Sequence, residues 1–84
     1  MRFVFTNYAK KQFLKLDLKA QNRIKDKLTI LKNDALLLNQ NIRPVINLNP
    51  ITHRVRIGSY RLLLKLEGES YIVLKLGHRK EIYN

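Results

Sequence analysis

Apolar and polar positions divide the chain into stretches of different period. Arg2–Thr6 (RFVFT) is short, aromatic and β-branched, which predicts a strand. From Tyr8 the period changes. Ala9, Phe13 and Leu16 recur at i, i+4 and i+7 with Leu14 beside them, as on the inner stripe of a helix, and Lys10, Lys11 and Lys15 lie off that stripe. Thr6 or Asn7 is placed to cap this helix, and Asp17 to cap the next. Ala20, Ile24, Leu28 and Leu31 then repeat at i, i+4, i+8 and i+11 and predict a second helix. Asp34–Leu38 reads two ways: Ala35 and Leu38 prolong the helical register, and Asn39-Gln40-Asn41 ends it. The segment up to Pro50, rich in asparagine and carrying two prolines, reads as a connection with an extended piece around Val45–Leu48.

The last third alternates with period two. His53–Ile57 and Tyr60–Leu66 are separated by Gly58-Ser59, a two-residue loop with glycine first, as in a type II′ hairpin. Ser70–Leu76 follows Glu67-Gly68-Glu69, and Gly77–Asn84 closes the chain. The order β-α-α-β-β-β, with runs of helix and strand rather than alternation, predicts an α+β fold: two N-terminal helices packed on one face of a small twisted antiparallel sheet. At 84 residues the chain is expected to form one domain over 1–84.

Alternation assigns the faces. A two-residue loop sets Ile57 opposite Tyr60, Arg56 opposite Arg61 and Val55 opposite Leu62. Arg54, Arg56 and Arg61 then share one face, and Val55, Ile57, Leu62, Leu64 and Leu66 the other. A three-residue turn at Glu67-Gly68-Glu69 would set Leu66 opposite Ser70 and Leu64 opposite Ile72, and so would place Lys65, Tyr71, Val73 and Lys75 with the arginines. Continuing the alternation brings Arg79 to the side of Lys75.

Charge sharpens this picture. Lys and Arg number 17 against 6 Asp and Glu, a net charge of +11. A balance so basic points to a polyanionic partner. The face could be merely the wet side of an amphipathic sheet, with long side chains splayed apart. Yet Glu67 and Glu69 sit in a turn away from the arginines, and guanidinium forks match phosphate oxygens bidentately. The chain has no cysteine, so disulfides and thiolate zinc sites are excluded. No apolar h-region suggests a signal peptide, and no apolar run approaches the ~20 residues of a membrane span. A cytoplasmic location and no membrane partner are expected. The glycines are isolated, so no phosphate loop is formed, and His53 and His78 stand apart without clustered carboxylates, so neither a metal nor another cofactor is expected.

The stretches HRVRIGSYRLLLKL and YIVLKLGHRKEIY resemble the RelE/ParE superfamily of bacterial toxin–antitoxin toxins, in particular its RelE-like branch. The shared pattern is a basic-x-basic strand, a glycine turn, a Tyr-Arg strand, then a strand ending in Gly-x-Arg with a tyrosine nearby. The resemblance implies a ribosome-dependent endoribonuclease that cuts mRNA in the ribosomal A site, inhibits translation and arrests growth. The 2′-hydroxyl would attack the adjacent phosphate and leave a 2′,3′-cyclic phosphate, without a metal. It implies a cognate antitoxin as partner. Arg54 and Arg56 fall on the basic-x-basic positions, Arg61 on the phosphate-contacting arginine, Arg79 on the arginine that stabilises charge at the scissile phosphate, and Tyr83 on the tyrosine that stacks or moves a proton. Known members carry lysines where this chain has Arg54 and Arg56. Arginine cannot serve as a base. On this reading the catalytic set is Arg56, Arg61, Arg79 and Tyr83 with His78 as acid or base, and Arg54, Lys65, Lys75 and Lys80 bind RNA. The alternatives are a ParE-like inhibitor of DNA gyrase and a non-catalytic RNA- or ribosome-binding module.

Overall fold

The computed structural model describes residues 1–82. Its elements run β1 (Arg2–Phe5), α1 (Asn7–Leu14), α2 (Leu18–Asn33), α3 (Ala35–Asn41), β2 (Ile42–Pro44), β3 (His53–Ile57), β4 (Tyr60–Glu67) and β5 (Ser70–His78). The fold is α+β, with three helices against a five-stranded sheet of order β1-β5-β4-β3-β2. The sheet is mixed rather than wholly antiparallel, because β1 pairs in parallel with β5.

Local chemistry starts each helix. Thr6 Oγ1 accepts from Ala9 N–H at 3.1 Å, and Asp17 Oδ1 accepts from Ala20 N–H at 2.7 Å. Each satisfies one of the backbone donors that a helix N-terminus leaves open. The predicted stripe of α2 is the buried one: Ala20, Ile24, Leu28 and Leu31. In α1, Ala9 is buried and Phe13 packs on the core, as does Leu16 just beyond the helix, whereas Leu14 faces solvent. The ambiguous stretch after α2 is a helix of its own. Asp34 turns out to extended backbone at φ −138°, ends α2, and accepts from Leu37 N–H at 3.1 Å to begin α3.

The connection that follows holds a strand, but at Ile42–Pro44 rather than around Val45–Leu48. It pairs with β3, setting Ile42 opposite Val55 and Arg43 opposite Arg54. Pro44 cannot donate to a ladder, which suits its place on the outermost strand.

The first hairpin has the expected register: Ile57 with Tyr60, Arg56 with Arg61, Val55 with Leu62. Gly58 takes φ 60°, and Ser59 does not share a positive φ, as a type II′ turn demands. The second hairpin differs. Its turn has two residues, Gly68-Glu69, with Glu67 opposite Ser70 and Gly68 at φ 60°. Leu66 therefore opposes Tyr71 and Leu64 opposes Val73. Tyr71 and Val73 are buried in the core and do not join the arginines; Ile72, opposite Lys65, takes the outer face. A bulge between Leu63 and Leu64 leaves Leu74 without an opposite number. Beyond it Leu76 opposes Leu62 and Lys75 opposes Leu63, so Lys75 reaches the expected face by a different route. Gln12 Oε1 of α1 accepts from Leu76 N–H at 2.8 Å, tying the helix to the strand just past the bulge.

The main core lies between sheet and helices and joins Ile24, Leu28, Leu31 and Leu38 to Val55, Ile57, Leu62, Leu64, Val73 and Leu76. Burying one such side chain contributes about 1.5–3 kcal/mol. An opposed like-charge pair costs about 0.2–1 kcal/mol. Burial therefore sets the register, and the arginines are carried together onto the opposite face as its consequence.

Candidate phosphate-binding face

The outer face of the sheet is built in rows across the strands. One row is Arg43, Arg54, Leu63 and Lys75; the next is Arg56, Arg61 and Gly77; Lys65 and Ile72 lie on the other side of the first. Neighbouring strands are about 4.8 Å apart, and alternate residues along a strand about 6.6–6.8 Å. Four guanidinium groups thus share a patch small enough to converge on one or two phosphates. Arg43, Arg54 and Arg56, with Gln40 and Asn41, line a concavity of about 330 Å³ at the β2 end. The side chains of Arg43, Arg54, Arg56, Lys75 and Arg79 make no hydrogen bond or salt bridge to any described residue. Lys65 meets Glu67 at 3.6 Å, an exposed pair of little weight.

Arg43 belongs to this face although sequence reasoning did not select it. The signal was a lone arginine between Ile42 and Pro44, too short for a recognisable alternation. Its neighbour Arg54 is half-buried, and Arg56 is exposed. Arg61 is also half-buried, with Nε shut away from solvent.

The patch has an apolar inset. Leu63 and Ile82 are each only 2 % exposed, and neither is part of the main core cluster. A Cβ on Gly77 would stand 3.4 Å from Ile82 Cδ1, so the C-terminal turn folds its isoleucine back over the sheet beside Arg61's row. The turn is held by Glu81 N–H and Ile82 N–H, both donating to His78 O, at 2.8 and 3.1 Å. Arg79, exposed, stands across from the first hairpin, its N–H donating to Ser59 O at 2.8 Å. Lys80 follows it and is exposed. Tyr83 lies outside the described residues.

His78 is not with the arginines. It pairs with Tyr60 on the helix-facing side, the two rings edge to face at 6.0 Å, and Lys80 N–H approaches its Nδ1 at 3.3 Å. The bulge in β5 explains this: it shifts the parity of every residue after Leu74, which sends Lys75 and Gly77 outward and His78 inward. His53 is also on the inner side, its ring against Tyr71 and its Nδ1 2.8 Å from Thr52 Oγ1. Burial pushes the Tyr71 hydroxyl above its ordinary pKa. Among the described residues no group of three His, Cys, Asp or Glu side chains is arranged to hold a metal ion, and no helix is long and apolar enough to cross a membrane.

Residues 3–83 match the profile of the ParE toxin of the type II toxin–antitoxin system parDE. The chain belongs to that family, within the RelE/ParE superfamily, and is a toxin of a type II toxin–antitoxin system. Its fold is that of RelE in solved complexes. The RelBE2 toxin–antitoxin complex of Mycobacterium tuberculosis superposes with a TM-score of 0.75 at 23% identity, covering 93% of this chain and 96% of that one. The RelB–RelE antitoxin–toxin complex of Methanococcus jannaschii gives 0.73 at 24% identity, covering 96% and 95%. The RelE–RelB complex of Pyrococcus horikoshii gives 0.72 at 18%, covering 95% and 96%. No curated protein matches the chain.

Proposed function

We propose that this toxin acts on RNA, as a ribosome-dependent endoribonuclease that cleaves mRNA in the ribosomal A site. One observation carries the reading: Arg43, Arg54 and Arg56 stand on one open sheet face beside Arg61, with no carboxylate of the described chain bonded to the first three. Guanidinium groups preplaced around a phosphate stabilise the charge that grows on it when the neighbouring 2′-oxygen attacks and the 5′-oxygen leaves. That displacement forms one P–O bond, breaks another, and yields a 2′,3′-cyclic phosphate. Arg54, Arg56 and Arg61 bind and orient the phosphate, Arg79 meets the developing charge from the end of β5, and Lys65 and Lys75 hold the flanking strand. Lys80 adds to the electrostatic field there. Arginine keeps its proton, so these groups supply binding and charge stabilisation and not base catalysis. Neither histidine stands on this face, so Tyr83 or the ribosome takes the proton of the 2′-hydroxyl, and the leaving 5′-oxygen takes its proton from the same group or from water.

The solved relatives are complexes with antitoxins, and a cognate antitoxin carrying acidic side chains would cover this face and silence it. The toxin works in the cytoplasm, where its substrate is.

Primer extension on mRNA from cells expressing the chain tests the proposal. New 5′ ends should appear within translated regions, and the double variant R61A/R79A should abolish both the ends and the growth arrest while remaining folded. Full cleavage by that variant would remove the assignment. The second reading, a gyrase inhibitor, draws on the ParE family match and on arginine at positions that would otherwise offer a lysine base. It is the outcome if growth stops without new RNA ends and the purified toxin blocks supercoiling.

A further inference from the structure

At the Gly58-Ser59 end of the arginine face lies one more guanidinium, and it comes from neither the sheet nor the C-terminal turn. Arg23 is on α2, next to the buried Ile24, and is exposed. A Cβ on Gly58 would stand 2.8 Å from Arg23 Cζ and 3.0 Å from its Nε and Nη1. The guanidinium is therefore laid against the turn, in a position open only because residue 58 has no side chain. The turn does not use it as a hydrogen-bond donor: Ser59 O is taken by Arg79 N–H at 2.8 Å, and the Arg23 side chain makes no hydrogen bond or salt bridge to any described residue. Beside it is a small cavity of about 180 Å³ lined by Arg23, Lys19, Ala20, Ser59, Tyr60 and Asp17. Asp17 is the one acid there, and its Oδ1 is committed to capping α2.

The last row of the arginine face before this turn is Arg56, Arg61 and Gly77. From Arg56 in that row to Gly58 is two residues, past the end of β3 at Ile57 and into the turn, a span of at most about 7 Å. A strand held on the arginines and leaving past the turn brings its next phosphate over Gly58, where backbone is bare and a guanidinium waits.

We propose that Arg23, with Lys19 beside it, is a further phosphate-binding subsite that takes the nucleotide next to the one held on the arginine face, carrying the RNA track over the hairpin tip onto the helix side. This rests on the reading of the toxin as an RNA-binding enzyme. Arg23 is a positioning residue in it, distant from the reacting atoms.

The test is binding of a single-stranded RNA oligonucleotide by fluorescence anisotropy across a salt series. Each phosphate contact contributes about 0.7 to the slope of log K against log salt. The variant R23Q should lower the slope by about 0.7 and leave the melting temperature unchanged, and R23K should restore the slope. G58A puts a methyl where the guanidinium lies and, with residue 58 at φ 60°, also strains the turn, so the readout is the pair: R23Q should weaken binding in the parent, and R23Q/G58A should bind no more weakly than G58A. R54A/R56A is the control for the parent reading. An unchanged slope in R23Q, with a reduced one in R54A/R56A, overturns the subsite and leaves the RNA reading standing. A lowered melting temperature in R23Q with the slope unchanged shows a structural brace and overturns it too, as does loss of capture by an acidic partner protein with RNA binding intact. Absence of salt-dependent RNA binding in the parent protein overturns both.

Discussion

Tyr71 illustrates how a single side chain reports which face it is on. The three-residue turn would have put it among the arginines; the two-residue turn puts it in the core, stacked on Phe3 at 5.8 Å and against His53 at 5.3 Å. Burial disfavours its phenolate and raises its pKa above the ordinary 10.0. The sign follows from linkage. Above that ordinary value the unfolded chain has lost the proton and the folded chain still holds it, so stability is whole below it and falls as pH rises toward the folded pKa. Y71F has no such group. Urea midpoints of the two proteins measured from about pH 8 to about pH 11 should run together at the low end and separate at the high end, with the parent losing more. Parallel curves would mean that Tyr71 is wet.

At the scale of elements, Asp34 governs more than a helix end. It stops α2, caps α3, and α3 runs directly into β2, which delivers Arg43 to the arginine face. D34A should cost about 1 kcal/mol. For a chain of this size that is a fall of about 4–8 °C in Tm. Because the loss is at the root of β2, amide exchange should quicken in Ile42, Arg43 and their partners on β3 more than in β4 and β5; uniform quickening would contradict the coupling. The same elements show what the sequence could and could not reveal. The stripe of α2 and the first hairpin were legible because period and turn agreed: Ile24, Leu28 and Leu31 lie on one helical face, and Gly58-Ser59 admits one register. In β5 the run Tyr71-Ile72-Val73-Leu74 has no alternation, so nothing local distinguishes the two parities. The two-residue turn at Gly68-Glu69 resolved them, and the bulge after Val73 then decided the site, since it put Lys75 outside and His78 inside. Arg43 was hidden for another reason: a three-residue edge strand is defined by its partner, not by its own pattern. Arg54, Arg56 and Arg61 were found because they belong to the strands that could be registered.

For the whole molecule, charge and topology act together. A net charge of +11 on 84 residues would hold any polyanion loosely, but the sheet gathers part of it into one patch: Arg43, Arg54, Arg56, Arg61, Lys65 and Lys75. Diffuse charge and a gathered patch differ in how binding responds to salt. If those six groups each neutralise one phosphate of a single strand, log K should fall with log salt at a slope of roughly −4. That amounts to a few hundredfold in affinity between about 50 and 200 mM salt. R43A, R54A and R56A should each reduce the slope by about 0.7 whatever the RNA sequence, since phosphate contacts carry no base information. A substitution on the far side of the molecule, such as Lys32 on α2, removes the same charge and should leave the slope unchanged. Equal losses from Lys32 and from the patch would mean that the protein attracts RNA as a sphere of charge and that the arrangement of the arginines is immaterial to binding. A slope shallower than about −1 would leave no room for a nucleic-acid strand on this face at all, and would turn attention to a protein target instead.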